Sequence, residues 1–520
     1  MAETLMTLLH RVSFLIYNKS HIPPIIQFSR ASDPSLSNTA HEILKEISAH
    51  SPDIFRMHIK QLCEALQQDS PSARKPNAEG SVNDLKACAS FARKFPKELP
   101  KDHSFFKSIE NFALYGTPPK AGKHAVTILM NCAEKKTMFA RNILRQCVNQ
   151  FKYGSDHYLT RLATLSQLIL LGDLIDEEAD KILDIALNSV IAKGRHSEVN
   201  ESDPHWNEDV DQHCEANLLA LKIPVNRLRA LSESDAIKEA APPIFALLNR
   251  IVGDHGAVSS KIPTPKYHKA RLRLGAAQLL LKLCCHKQVD PLLRQKDFNK
   301  LALVCQDELH QVRRGFIGCV MKYLGQDRLS HRFYTIPFLL AFEPVAEIKE
   351  GAKTWIKARR AAFARQKDTT MEVTFARFLG LLAHHPDIIM DNEGLAESVR
   401  YILFYLRTVA TEENLALIYH VAQRIKCVQD AIDPDKSEKL YCLSDLAQAI
   451  IQRYEDINGW SMQLWPGKIR LPSGVFALLS NHEEARKIAT KQHVPADFMN
   501  GLDDLVRDVL RTKKVYRHIY

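Results

Sequence analysis

Two stretches in the middle of the chain decide its fold: KYHKARLRLGAAQLLLKLC, residues 266–284, and DELHQVRRGFIGCVMKYL, residues 307–324. In the second stretch an acidic residue, Asp307, stands six positions ahead of Arg313. Apolar residues recur there at every fourth position: Val312, Phe316, Val320 and Leu324. This spacing places the four side chains along one stripe of an α-helix. A helix with such a stripe needs neighbouring helices to cover it.

The same arrangement of a turn residue ahead of a helix start recurs along the chain. It is found for Glu343 and Lys349, for Thr117 and Lys123, and for Asp33 and Thr39. The anchors at positions 265, 307 and 343 lie about forty residues apart, and a helical hairpin of that period is typical of the HEAT repeat. We therefore predict an all-α fold, a HEAT-repeat α-solenoid that can curve into a hook.

Composition shifts mark the limits of the array. We predict a HEAT-repeat array over residues 1–455 with flexible inserts near 69–82 and 194–214, because these stretches are polar or strongly acidic and lack the apolar period. From Gly459 onward the sequence is punctuated by Trp, Pro and Gly. We expect residues 456–520 to form an irregular and helical C-terminal cap that covers the last apolar face.

The composition also favours a helical array. The chain has 520 residues, which is more than a single hydrophobic core usually supports. Only 19 of these residues are Gly and 24 are Pro. Its eleven cysteines are scattered and never form a CxxC pair, so we interpret them as small buried side chains in a reducing compartment. No run of about twenty uninterrupted apolar residues is present, and we expect a soluble chain without a membrane partner.

Positive charge is concentrated in one part of the chain. Residues 261–332 hold fifteen Lys and Arg against five Asp and Glu, whereas the whole chain holds 70 against 60. A solvated helix face usually mixes the two signs, although such a face remains the alternative for any single residue. We expect Asp307, Arg271 and Arg313 to lie inside the stack, in a ladder between repeats. The predicted binding strip for an anion or an acidic partner consists of four basic residues: Lys266, Lys269, Arg273 and Arg314.

Motifs for catalysis are missing from the sequence. GTPPKAGKH, residues 116–124, differs from a phosphate-binding P-loop in its glycine spacing and has His124 where a Ser or Thr would hold magnesium. Four possible ligands have a spacing that matches no compact zinc site: His196, His205, His213 and Cys214. We interpret His384 and His385 as a helix end beside Pro386. We predict a non-enzymatic protein with no metal and no required cofactor.

Four ordered blocks carry a family resemblance: KYHKARLRLGAAQLLLKLC, DELHQVRRGFIGCVMKYL, RFLGLLAHHPD and EKLYCLSDLAQAII. They resemble the C-terminal half of the HEAT array of the cohesin regulators named for precocious dissociation of sisters, and the similarity covers nearly the whole chain. Members of that family are longer, so the resemblance implies a fragment that begins within the array.

The resemblance implies a function as well. It implies a subunit of the nucleus and chromosomes that binds the kleisin of the cohesin ring and helps control the maintenance and release of cohesin. It would work with a Wapl-type releasing factor and with the acetyltransferase that locks cohesion. Some relatives also bind an inositol polyphosphate, so inositol hexakisphosphate is the implied ligand of a basic groove.

The resemblance places the kleisin site in the middle of the array, where this chain begins. A corner with an aromatic residue, an amide and a base is expected to contact the kleisin: Tyr17, Asn18, Lys19, His21 and Ile22. An ordinary helix end, capped by Asn18, is the alternative. Two other functions stay open. They are a HEAT adaptor without a role on chromatin, and a solenoid that binds the DNA backbone through its basic face.

Overall fold

The structure, a computed structural model, describes residues 19–29, 33–50, 52–78, 80–193, 199, 202–258, 263–479 and 481–511. These residues are mostly helical and divide into two compact units. Unit 1 comprises Met1–Glu201, Asn207–Ala240 and Val258–Pro265, and unit 2 comprises Ser202–Trp206, Ala241–Ala257 and Lys266–Tyr520. The chain is all-α and HEAT-like, which confirms the predicted fold class.

Unit 1 is built from helical hairpins. Its helices are α1 (Ile22–Ser29), α2 (Pro34–His50), α3 (Ile59–Gln68), α4 (Ser81–Lys94), α5 (His103–Tyr115), α6 (Lys120–Cys132), α7 (Lys136–Asn149), α8 (Tyr158–Leu168), α9 (Ala179–Asp184) and α10 (Gln212–Ala230). Helix α11 (Ser234–Gly253) is divided between the two units. Helices α4, α6, α8 and α10 contact one another in that order and form one layer, and α3, α5 and α7 pack behind them.

The close approach of α6 and α8 depends on a glycine. A Cβ atom at Gly122 would lie 2.2 Å from Thr164 Oγ1 and 3.0 Å from the Thr160 carbonyl oxygen. Thr164 is fully buried and donates a hydrogen bond of 2.6 Å to the Ala113 carbonyl oxygen. Since the threonine cannot turn away without losing that bond, only a residue without a side chain fits at position 122.

Unit 2 is also mostly helical. Its helices are α12 (Lys266–Cys284), α13 (Gln295–Ala302), α14 (His310–Gly325), α15 (Ala346–Arg365), α16 (Thr370–Ala383), α17 (Asn392–Val409), α18 (Leu415–Arg424), α19 (Ser437–Asn458), α20 (His482–Thr490) and α21 (Ala496–Arg511), with a 3-10 helix at His331–Phe342. Helix α12 packs against α14. The predicted apolar stripe of α14 is confirmed, because all four of its members are buried: Val312, Phe316, Val320 and Leu324.

The C-terminal part of unit 2 folds onto its last helices. Helix α19 runs to Asn458, beyond the predicted boundary at 456, and stops where Gly459 adopts a left-handed conformation with φ 66°. Strand β2 (Phe476–Leu478) then pairs antiparallel with strand β1 (Val428–Asp430). Helix α21 packs against α17 and α19.

Helices begin before the ends of both predicted inserts. Helix α4 already begins at Ser81, inside the predicted insert 69–82. Helix α10 begins at Gln212, and the Asp211 side chain caps it by accepting a hydrogen bond of 2.9 Å from the Cys214 N–H. An acidic residue interpreted as part of a flexible loop is therefore the helix cap.

The cysteines behave as small buried side chains. None of the eleven, all of which the structure describes, takes part in a disulfide, and eight of them are buried. Burial raises the pKa of the Cys147 thiol to about 12, so the thiolate, which is the reactive form, is disfavoured there.

Candidate partner-binding surface

A buried ion pair joins the N-terminal half of α12 to the turn before α14. The Arg273 guanidinium donates two hydrogen bonds to the Asp307 carboxylate, and the bond from Nη2 to Oδ1 measures 2.8 Å. Arg273 Nη1 also donates to the His255 carbonyl oxygen at 2.7 Å. Asp307 Oδ1 accepts the Leu309 N–H at 3.0 Å. Asp307 therefore stabilises the turn of its own repeat and binds Arg273 of the preceding repeat.

A second pair repeats this arrangement one repeat later. Arg313 donates to both oxygens of Glu343, at 2.7 and 2.9 Å, and the Glu343 side chain is fully buried. Glu343 Oε1 accepts a hydrogen bond of 2.9 Å from the Val345 N–H, just as Asp307 accepts one from the Leu309 N–H. We call the pairs Arg273–Asp307 and Arg313–Glu343 the ladder. The predicted positions of Asp307 and Arg313 inside the stack are confirmed.

The structure corrects the predicted binding strip at Arg273. This residue forms the ladder pair, whereas Arg271, predicted to lie inside, stacks on Trp206 with its guanidinium carbon 3.8 Å from the ring centroid. Residues two apart lie about 200° apart around an α-helix, so only one of the two can point at Asp307. The sequence pattern did not distinguish them.

The other members of the strip remain at the surface. Lys266 is exposed, Lys269 is half-buried, and Arg314 is exposed and bonded to Glu347 at 2.5 Å. Five arginines of residues 261–332 form ion pairs: Arg273, Arg294, Arg313, Arg314 and Arg332. Because Glu343 and Glu347 come from the next repeat, counting charges within 261–332 overstated the positive charge of this surface.

The predicted kleisin corner is described only in part. Tyr17 and Asn18 lie outside the described residues, and of Lys19 only the backbone is described, at the start of the 3-10 helix Lys19–His21. His21 is exposed. Ile22 is fully buried at the start of α1, so the structure corrects its assignment as a contact residue. Its side chain packs in the core and is not available to a partner.

The histidine pair ends a helix, as predicted, and has partners that the sequence did not reveal. His384 follows the last residue of α16, and its Nε2 lies 2.9 Å from Oδ2 of the buried Asp430. His385 Nε2 lies 2.7 Å from Gln306 Oε1, and burial lowers the pKa of His385. These partners are separated from the histidines by 46 and 79 positions. No local pattern could have identified them.

The residues whose spacing was rejected as a zinc site have other surroundings in the structure. His213 Nδ1 lies 2.8 Å from the Tyr153 hydroxyl oxygen, Cys214 is buried, and His196 lies outside the described residues. In the part of the chain that the structure describes, no group of three His, Cys, Asp or Glu side chains could hold a metal ion. Among the described helices, none combines the length and the hydropathy needed to cross a bilayer.

Helical hairpins linked by buried pairs between successive repeats define the class of protein: a HEAT-like repeat protein. A sequence model of the family described as sister chromatid cohesion protein PDS5 matches residues 1–477. The chain therefore belongs to the PDS5 family, and the resemblance found in its sequence blocks is confirmed.

Individual relatives agree with this assignment. The sister chromatid cohesion protein pds5 of Schizosaccharomyces pombe is 28% identical over 503 residues, which cover 96% of this chain and 41% of that protein. The Saccharomyces cerevisiae protein PDS5 is 25% identical over 99% of this chain and 44% of its own length. The human PDS5 homolog A is 24% identical over 79% of this chain and 32% of its own length. The chain thus spans less than half the length of these relatives.

Proposed function

We propose that the chain is a non-enzymatic scaffold that regulates cohesin in the nucleus. It binds the kleisin subunit and helps control the maintenance and release of cohesin on chromosomes. The observation that carries this proposal is the family match over residues 1–477. The ladder supports it, because bidentate buried pairs fix one repeat on the next and so hold the surface of unit 2 in a defined shape.

The proposed partners are the kleisin and a Wapl-type releasing factor. The names of the relatives state a role in sister chromatid cohesion, and cohesion depends on proteins that hold or open the cohesin ring. The proposed kleisin contact is the corner formed by Tyr17, Asn18, Lys19 and His21, without the buried Ile22. An aromatic residue beside polar groups is the type enriched at binding hot spots.

A pull-down with the kleisin subunit tests the proposal. Tyr17→Glu should abolish capture while the circular dichroism spectrum stays unchanged. Phe28→Glu is a matched control, because Phe28 is an aromatic residue on α1 that is already 46% exposed; this variant should bind as the parent does. If the parent chain does not capture the kleisin, the proposed function is wrong. If both variants bind equally well, the site lies elsewhere.

Binding to DNA is the second candidate function, favoured by exposed Lys266 and half-buried Lys269 on α12. Duplex binding through phosphate contacts should weaken steeply as salt rises, whereas a kleisin segment held by apolar anchors should be much less sensitive. The five ion-paired arginines leave this surface less positive than its sequence suggests. We therefore rank DNA below the kleisin.

A further inference from the structure

A cavity of about 310 Å³ lies in unit 2 beside the N-terminal half of α16. It is bounded by the start of the 3-10 helix His331–Phe342, by the turn before α16, by the first turns of α16 and by the segment that leads into β2. We call it the α16 cavity. The polar residues that line it include His331, Asp368, Thr369, Thr370, Arg377 and Arg470. Two of them are arginines, so the cavity offers cationic donors to a ligand.

One side of α16 forms a wall of this cavity. Thr374, Arg377 and Gly380 follow one another at intervals of three positions, which places them on the same side of the helix. A Cβ atom at Gly380 would lie only 2.9 Å from Val475 Cγ1. The segment before β2 therefore packs directly on α16, about one helical turn beyond Arg377. This close packing positions the segment so that Arg470 reaches the cavity.

The two arginines of the cavity are not paired with an acidic side chain. In the part of the chain that the structure describes, neither guanidinium group forms a hydrogen bond or an ion pair. Arg470 is exposed, whereas Arg377 is half-buried. Burial lowers the pKa of Arg377, the charge of Arg332 lowers it further, and the charge of Asp290 raises it. A half-buried cation without a partner opposes folding, and an anion bound in the cavity would remove that cost.

Two acidic residues act near these arginines, and both are bound to other groups. Asp290, whose charge acts on Arg377, accepts a hydrogen bond of 2.7 Å from Arg332 and forms an ion pair with it. Asp368 lines the cavity, and its Oδ1 accepts a hydrogen bond of 2.8 Å from the Thr370 N–H. With two arginines against one aspartate, the lining carries a net positive charge even when its histidine is neutral.

Three donor groups of the lining are available to a ligand. They are the guanidinium groups of Arg377 and Arg470 and the hydroxyl of Thr369, which forms no hydrogen bond within the described residues. The Thr374 hydroxyl is already used, since it donates to the Thr370 carbonyl oxygen at 2.7 Å. A phosphate monoester presents three terminal oxygens and a charge of about −1.5 to −2 at pH 7. Guanidinium groups match such oxygens in bidentate geometry, whereas a carboxylate would use fewer of the donors.

We propose that the α16 cavity binds a phosphorylated serine or threonine side chain of a partner protein. Its volume of about 310 Å³ lies at the lower end of the range for small-ligand sites, about 300 to 1,000 Å³. The cavity therefore suits a single phosphate ester and not a polyphosphate with several charged groups. Thr369 and Arg470 are exposed, so the cavity opens to the surface and leaves room for the chain that carries the phosphate. The proposal concerns unit 2 alone and does not depend on the kleisin corner.

The test measures binding of a fluorescently labelled peptide to the full chain by anisotropy at low salt. The peptide is a neutral Gly-Ala repeat of about nine residues with one central phosphoserine, and it should bind at least about tenfold more tightly than the same peptide without phosphate. Arg377→Gln should weaken binding at least about tenfold, because charge-assisted contacts to the phosphate are lost, and Arg470→Gln should also weaken it. The matched control, Arg507→Gln, removes an exposed arginine on α21 in the same unit and should change the affinity less than about twofold.

Thermal unfolding separates a loss of binding from a loss of folding. Arg377→Gln should melt at or above the temperature of the parent, since it removes a half-buried charge without a partner. The phosphopeptide should raise the melting temperature of the parent and of Arg507→Gln, but not that of Arg377→Gln. Arg470→Gln changes an exposed residue, so it tests the cavity even if Arg377→Gln folds poorly.

Four results would overturn the proposal. The first is that the phosphopeptide does not bind the parent, or binds no more tightly than the peptide without phosphate. The second is an equal loss of affinity in Arg377→Gln and Arg507→Gln, which would show attraction to net charge alone. The third is that inorganic phosphate binds as tightly as the phosphopeptide, which would assign the cavity to free phosphate. The fourth is tighter binding of inositol hexakisphosphate that Arg377→Gln abolishes, which would make the cavity a polyphosphate site.

Discussion

Arg313 donates two hydrogen bonds to Glu343, and this pair crosses from one repeat to the next with the carboxylate fully shielded from solvent. Taking two charges out of water is costly, and the attraction within a well-formed pair largely offsets that cost. Removing only one partner leaves a buried charge without compensation. The pair therefore makes the junction between α14 and the following repeat sensitive to single substitutions.

We predict that Glu343→Ala lowers the free energy of unfolding of the helical stack by about 3 to 5 kcal/mol, because the Arg313 guanidinium is left buried without its carboxylate partner. Glu347→Ala is the matched control. Its carboxylate pairs with Arg314, but the two side chains are 71% and 54% exposed, so the loss should stay below about 1 kcal/mol. Urea unfolding followed by circular dichroism measures both. Equal losses would mean that the ladder pair contributes no more than a surface pair.

Gly122→Ala should destabilise unit 1 by about 1 to 3 kcal/mol, because the new methyl group would overlap the buried Thr164 hydroxyl. Gly318→Ala provides the comparison. Gly318 lies within α14 with no atom within 4 Å of the position of its Cβ, so this change should stabilise the helix by roughly 0.5 to 1 kcal/mol. Thermal unfolding of the two variants should show shifts of opposite sign. A stabilising Gly122→Ala would disprove the close packing of α6 on α8.

The helices of the repeats could be predicted from the sequence because their signal is local. The stripe of α14 repeats every four residues, and each of its members contacts the core from a single helix face. The acidic residue ahead of the arginine is likewise visible in the sequence, since Asp307 and Arg313 lie only six positions apart in one repeat. Such features need no knowledge of the neighbouring repeats.

Contacts between elements could not be predicted in the same way. Whether Arg271 or Arg273 reaches Asp307 depends on the rotation of α12 about its axis, which the next helix sets. The partner of His384, Asp430, lies on a three-residue strand too short for a period-two pattern to reveal.

If the strip on α12 is the site for inositol hexakisphosphate, we predict that the double variant Lys266→Glu with Lys269→Glu no longer binds this ligand. These residues are exposed and half-buried, so the double variant should keep the melting temperature of the parent. Arg273→Glu should instead lower the melting temperature without any ligand, because it places a second carboxylate against Asp307. Calorimetry at low salt measures the binding. If the parent neither binds the ligand nor is stabilised by it, the strip is a solvated face.

His124 should make unit 1 less stable at acidic pH. Burial, followed by the positive charges of Lys123 and Arg93, lowers the pKa of His124 from 6.5 to about 3. Because the folded pKa lies below the unfolded one, the unfolded chain binds more protons between these values. The stabilisation is fully present above about pH 6.5 and is lost as the pH falls toward 3.

Between pH 6.5 and 5 the free energy of unfolding should fall by less than about 2 kcal/mol, because the His124 ring is only half-buried and solvent screens its charge. His124→Gln should flatten the dependence of unfolding free energy on pH in this range. Parallel curves for the parent and His124→Gln would show that the pKa of His124 is the same in the folded and unfolded chain.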